Sequence, residues 1–292
     1  MGQFIGYLLL VLCALAYGVG IVAQSAAADR AVTPSGGSAG GLLAGLVRDP
    51  VYLIGLAAQV AGFVLAFYAR ASLPLYLVQA GASAAVAVAA VIGAVVLGRR
   101  IRPLELGVIV AMAVGLGLLV ASAETSVAEP MPVPVGFALL GLLGLVALSG
   151  FAVTRWSGTR GAAVVLGLLS GTAFAVLAVA GRPIADLPLW SLLLQPLAWL
   201  MVVAALAGQV LQAAALQRGT ATAAIAPSYA MSTVLAAVVG LVALGDRIAP
   251  GREPWVSAGL AVVVAGVVVL SLSGAGHGQP AESATGEERS PV

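Results

Sequence analysis

Apolar residues in this chain come in long, almost uninterrupted runs, and the polar positions are confined to short clusters between them. A helix that crosses a membrane needs about 20 mostly apolar residues. Nine runs have that length, at about residues 3–24, 51–69, 73–97, 104–122, 133–153, 161–181, 191–217, 220–244 and 254–273. Several open with proline at or near the first turn (Pro50, Pro103, Pro254), where its missing N–H costs nothing. The pattern predicts an all-α polytopic membrane protein of about nine helices. Residues 25–49 are mixed, and their apolar part is too short to cross; they are expected to form an interfacial or re-entrant helix, with a tenth span only if residues 36–47 enter the bilayer. No positive charge precedes the first run, so it reads as a retained span rather than a cleaved signal peptide.

One stretch occurs twice. Residues 89–101 (AAVIGAVVLGRRI) and 236–248 (AAVVGLVALGDRI) match at nine of thirteen positions without a gap, and Pro103 and Pro250 follow at the same offset. Fixed-offset self-similarity marks a duplicated structural unit. The copies end spans three and eight, an odd number of crossings apart, so they traverse the membrane in opposite directions. Inverted repeats of this kind recur in secondary transporters, with the substrate site near the midplane between the halves. The chain divides into a first half at 1–122, a linker at 123–132, a second half at 133–273 and a tail at 274–292 with the composition of a disordered segment.

Arginine sets the orientation. Nine fall on one side of a nine-span chain and four on the other (Arg70, Arg182, Arg247, Arg252), which places the N-terminus outside and the C-terminus in the cytoplasm. All 13 basic residues are arginine and the chain has no asparagine, a skew expected of GC-rich bacterial coding and hence of an inner membrane. Only 8% of residues are charged, against roughly a quarter in soluble domains, so the bilayer is the expected partner. The net charge of +2 is scattered and suggests no nucleic-acid partner. Cys13 is the single cysteine and His277, in the tail, the single histidine, so neither a disulfide framework nor a Cys/His metal site is expected. No nucleophile–base pair, paired carboxylates or phosphate-binding loop is apparent, and neither an enzyme nor a cofactor is expected.

The turn Leu244-Gly245-Asp246-Arg247-Ile248 resembles the "LGER" turn of the drug/metabolite transporter superfamily; the first copy has Arg99 where the acid stands. Members of that superfamily are usually described as two inverted five-helix halves. Nine helices with an outside N-terminus, and the run Val51–Arg70 followed by Leu77-Val78-Gln79, are similar to its NIPA-type branch, which implies magnesium transport. Gln59-Val60-Ala61-Gly62 lacks the acid associated with that branch. The resemblance is thus to an EamA/NIPA-like branch and implies a transporter.

With no charge expected in the membrane core, the candidate pathway rests on polar uncharged residues. Gln59, Gln79, Gln209 and Gln212 lie within apolar spans, where an amide must find a hydrogen-bond partner on a helix or a substrate. Helical spacing puts Tyr76 and Ser83 on the face of Gln79, and Gln209 on that of Gln212. Pro227 interrupts the eighth span's hydrogen bonding beside Ser228, Tyr229 and Ser232, at the depth of Gln79 in the repeat. Tyr17 in the first span completes the set of candidate substrate-binding residues. Small-residue stripes at Gly81, Ala85, Ala89 and Gly93, and at Ala163, Gly167, Gly171 and Ala175, are expected to be close-packing faces. Glu105 fits either a gate or a helix N-terminal carboxylate. The leading expectation is a secondary transporter for a small neutral, zwitterionic or lipid-linked metabolite. A magnesium transporter and a non-transporting partner of an envelope assembly are the alternatives, and a homodimer is compatible with each.

Overall fold

The structure is a computed structural model that describes residues 2–31, 48–98, 101–124, 130–156, 160–218 and 221–275. Within these, the elements are α1 (Gly2–Ala31), α2 (Pro50–Ala69), α3 (Leu75–Ser83), α4 (Ala85–Leu97), α5 (Pro103–Ser122), α6 (Val133–Trp156), α7 (Arg160–Gly181), a 3-10 turn (Arg182–Ile184), α8 (Leu189–Leu192), α9 (Pro196–Leu216), α10 (Ala221–Ala243) and α11 (Glu253–Ala275). Nine helical segments among the described residues are long and apolar enough to cross a membrane, α3 and α4 together forming the third. The protein is an all-α polytopic membrane protein. Residues 36–47, most of the 123–132 linker and residues 276–292 lie outside the described residues, so the re-entrant helix and the tail are not addressed.

Two span boundaries differ from the sequence pattern for local reasons. The seventh span begins at Pro196 rather than near residue 191. A residue before proline is pushed out of the helical region, and Gln195 accordingly sits at φ −92°, ψ 122°, which detaches α8 from α9. The third span is broken at Ala84 into α3 and α4, whereas α10 continues through Pro227. The irregular backbone in the paired spans therefore falls in the first copy, not at the proline of the second.

Packing reproduces the repeat. In the first half α1 packs on α2 and on α3/α4; in the second, α7 packs on α9 and on α10. The halves meet where α3 crosses α10 and where α5 lies along α11. Both copies end in the same way, with Gly98 at φ +66° and Gly245 at φ +70°, the left-handed conformation glycine adopts without a Cβ penalty. One apolar core centres on α6, α7 and α9, and the other on α1, α2, α3 and α11. Large apolar side chains such as Phe4, Val95, Phe137 and Val242 point outward, as a lipid-facing surface requires.

The ends of the bundle differ. At the end expected outside, Trp190, Trp199 and Trp255 are exposed, the position of an interfacial aromatic belt. At the other end Glu105 accepts a hydrogen bond from the Arg102 N–H at 2.9 Å; it caps α5 rather than gating a pathway. Asp49 caps α2, its carboxylate accepting from the Val51 N–H at 2.7 Å, which holds its pKa below the ordinary carboxylate value.

The stripe Ala163, Gly167, Gly171, Ala175 brings α7 against the backbone of α10. A Cβ on Gly171 would overlap the Ser228 carbonyl and lie 2.9 Å from Met231 Cβ. Gly171→Val is therefore expected to destabilise the protein by about 1–3 kcal/mol or more. Gly117→Ala, where a Cβ meets nothing within 4 Å, is expected to leave stability unchanged or slightly raised. Thermal unfolding of the two variants in detergent micelles checks this.

Candidate functional site

At the end expected outside, the turn between α2 and α3 (residues 70–74) leaves helix-terminal backbone groups that need partners. The second half supplies them. Arg182 follows α7, and its side chain is wholly buried. Its Nη1 donates to the carbonyls of Arg70 and Leu73, at the end of α2 and in the turn. Its Nη2 donates to Asp246 Oδ1 at 2.9 Å, and Asp246 is equally buried. Asp246 Oδ2 in turn accepts from the Leu75 N–H at 2.6 Å, capping the start of α3, whose own Pro74 offers no side-chain cap. One buried ion pair thus satisfies both ends of a helix break in the opposite half.

The repeat's turn aims Asp246. After Gly245 reverses the chain, the Asp246 N–H donates back to the Gly240 carbonyl at 3.1 Å and so closes the end of α10. A Cβ on Gly240 would lie 2.5 Å from Asp246 Oδ2, so a glycine is needed where the carboxylate folds under α10. Beside the clasp, the Tyr76 hydroxyl donates to the Ser122 carbonyl at 3.3 Å, and the Ala249 N–H donates to the same carbonyl at 3.0 Å. The loop charges of the sequence reading need correction here. Arg70, Arg182 and Asp246 are inside the protein, and of the four arginines assigned to that side only Arg247 and Arg252 reach its surface.

The candidate pathway residues separate into two groups. Tyr17, on α1, lies against Gly62 of α2; Gln59, on α2, lies against Gly20 of α1. Gln79 is buried on α3, and Tyr229 stands on α10 close enough to Cys13 and Tyr17 to interact electrostatically. The side chains of Gln79, Tyr17 and Tyr229 make no hydrogen bond among the described residues. Tyr17 and Tyr229 are half-buried. Ser83 shares a 2.7 Å hydrogen bond with Thr233, tying α3 to α10 where the halves cross.

The second group is a separate cluster. Ser170 of α7 donates to Gln212 Oε1 at 2.9 Å, with the Gly208 carbonyl also at 2.9 Å, and Ser228 donates to Ser170 at 3.3 Å. These bonds hold α7, α9 and α10 together and leave Gln212 occupied. Gln209 does not share its surroundings; it lies on the exposed side of α9. Ser232 donates to the Tyr229 carbonyl of its own helix at 3.0 Å, and Pro227 is half-buried in unbroken helix.

Sequence reasoning missed Arg70, Arg182, Asp246, Ser170 and Thr233. The available signal was isolation: Arg70 (FYARASLPLY) and Arg182 (AVAGRPIADL) each stand alone among apolar residues, unlike the clustered Arg99, Arg100 and Arg102. Arg70 is 3% exposed, and its Nε and Nη1 have no hydrogen-bond partner. Burial lowers its pKa from the ordinary arginine value, but a guanidinium stays charged at physiological pH.

Fold and site together define a multi-pass membrane protein whose two halves meet at a buried ion pair. Compared with protein-family models, with curated proteins and with solved structures, the chain matches none.

Breaking a buried ion pair by removing one partner costs about 3–5 kcal/mol, because the other charge is left uncompensated. Asp246→Ala is expected to lose that much stability. Adding Arg182→Met should recover part of it but not all, since the Leu75 N–H and two carbonyls stay uncapped. Unfolding midpoints of the single and double variants decide the matter.

Proposed function

We propose that this protein is a secondary transporter that moves a small metabolite by alternating access between its two halves. The reading rests on one observation above the others. Gln79 is buried on α3, Tyr17 and Tyr229 lie within electrostatic range of one another on α1 and α10, and the three side chains form no hydrogen bond among the described residues. A polar side chain within an apolar span needs a hydrogen-bond partner, and one that finds none on a neighbouring helix is available to a solute. The crossing of α3 with α10 belongs to both repeats, which is where inverted-repeat carriers bind their cargo. The Arg182–Asp246 clasp then acts as the gate at the end expected outside, closed in this conformation.

A divalent cation is the less favoured cargo. Two buried guanidiniums, Arg70 and Arg182, face one buried carboxylate at the gated end, which leaves that end of the pathway positive. The chemistry fits an uncharged or zwitterionic solute, or a lipid-linked one, better than magnesium.

The test has two stages. Amino acids, nucleosides and short polyprenyl phosphates are screened for thermal stabilisation of the purified protein, and the stabilising compound is then followed into proteoliposomes with a radiolabel. Saturable, protein-dependent flux is expected, and Gln79→Leu should lower it about tenfold or more, the effect of losing one substrate hydrogen bond and leaving its partner unpaired. Unaltered flux in that variant removes Gln79 from the pathway. A folded protein that carries none of the panel overturns the transporter reading for these solutes.

A further inference from the structure

Buried charges at the gated end do not balance. Arg70 and Arg182 are close enough to repel one another. The one buried carboxylate beside them, Asp246, has both oxygens committed, Oδ1 to Arg182 and Oδ2 to the Leu75 N–H. Of the other described acids nearby, Glu124 is half-buried beside Tyr76 and Asp186 is exposed, and neither forms an ion pair with Arg70. Glu105 is spent at the opposite end of the bundle as the cap of α5. Arg70 therefore carries a desolvated positive charge with Nε and Nη1 unsatisfied. Buried polar groups are ordinarily hydrogen-bonded, and a buried charge without a counter-charge is among the most costly features a protein can hold.

The surroundings of Arg70 supply donors and no acceptor of charge. Tyr17 and Cys13 of α1 lie within electrostatic range of it, and Tyr229 of α10 lies beyond Cys13. A planar guanidinium fork matches the geometry of a carboxylate or a phosphate, and Tyr17 is the phenol within electrostatic range of it. On its other side, a Cβ on Gly181 would lie 3.5 Å from Arg70 Nη1 and 3.1 Å from Met201 Cε, so Met201 stands next to the guanidinium. Met201 also lines an apolar groove of about 460 Å³ between α2 and α9, walled by Phe63, Phe67, Trp199 and Val202.

We infer that Arg70 binds an anionic group of the cargo, a carboxylate or a phosphate, with Tyr17 donating beside it. The inference deepens the transporter reading and narrows its cargo to molecules that carry such a group, whether free in solution or as the head of an amphiphile whose apolar part lies in the α2–α9 groove.

The experiment measures binding to the purified protein in a non-ionic detergent, by calorimetry and thermal shift. Its probes are inorganic phosphate, acetate, dodecyl phosphate and, as a cationic control, dodecyltrimethylammonium. Saturable binding of an anion, with none of the cation, is expected. Binding of inorganic phosphate or acetate assigns a free anion; binding of dodecyl phosphate alone assigns an amphiphile. Arg70→Gln should weaken binding about tenfold or more, as loss of charge-assisted hydrogen bonds does, and Arg70→Lys should retain part of it. Without ligand, Arg70→Gln should melt at or above the wild-type temperature, because an unpaired buried charge has been removed. Tyr17→Phe, which leaves the clasp untouched, should weaken binding about threefold to tenfold. The inference is overturned if no anion binds, if Arg70→Gln binds anions as wild type does, or if that variant melts lower in the absence of ligand. Arg70-dependent binding without flux would keep the site and refute transport; flux indifferent to Arg70 would do the reverse.

Discussion

The Arg182–Asp246 ion pair is the constraint around which the gated end is built. An apolar chain that turns around inside a bundle leaves carbonyls at one helix end and N–H groups at the next, with little water to satisfy them. Between α2 and α3 the turn is too short and too apolar to cap itself. The second half answers with a cation on the carbonyls of Arg70 and Leu73 and an anion on the Leu75 N–H, each neutralising the other. A contact that completes the backbone of one half with side chains of the other couples their positions. Separating the halves exposes three backbone groups at once, the Arg70 and Leu73 carbonyls and the Leu75 N–H.

The same physics sorts the other polar side chains. The Ser83–Thr233 bond and the Ser170–Gln212–Ser228 cluster are closed networks that fasten helices. Gln79, Tyr17 and Tyr229 are left outside both. Arg70 stands between the clasp and these residues, sharing neither the carboxylate of the first nor the closed bonding of the networks.

Glycine patterning carries the architecture at both levels. Gly98 and Gly245 end the repeated helices in the left-handed conformation, and Gly240 makes room for Asp246 to fold back under its own helix. Gly171, with Gly167, lets α7 ride on the backbone of α10, and Gly115 and Gly259 do the same for α5 and α11. Close backbone contact of this kind is the main source of helix association where lipid and side chains are equally apolar.

Length and hydropathy determined the nine spans by themselves, because the bilayer thickness and the need to satisfy every backbone group admit few alternatives. The duplicated turn announced the repeat. What the sequence left undetermined is which way each polar side chain faces and what it meets. Gln209 and Gln212 are three residues apart, yet one is exposed and the other bonded to Ser170, since α9 turns only one of them toward α7. Arg70, Arg182 and Asp246 read as loop charges because each follows the end of an apolar run. Only the folding of three loops into one buried corner, brought together from positions far apart in the chain, made two of them a clasp and left the third without a partner.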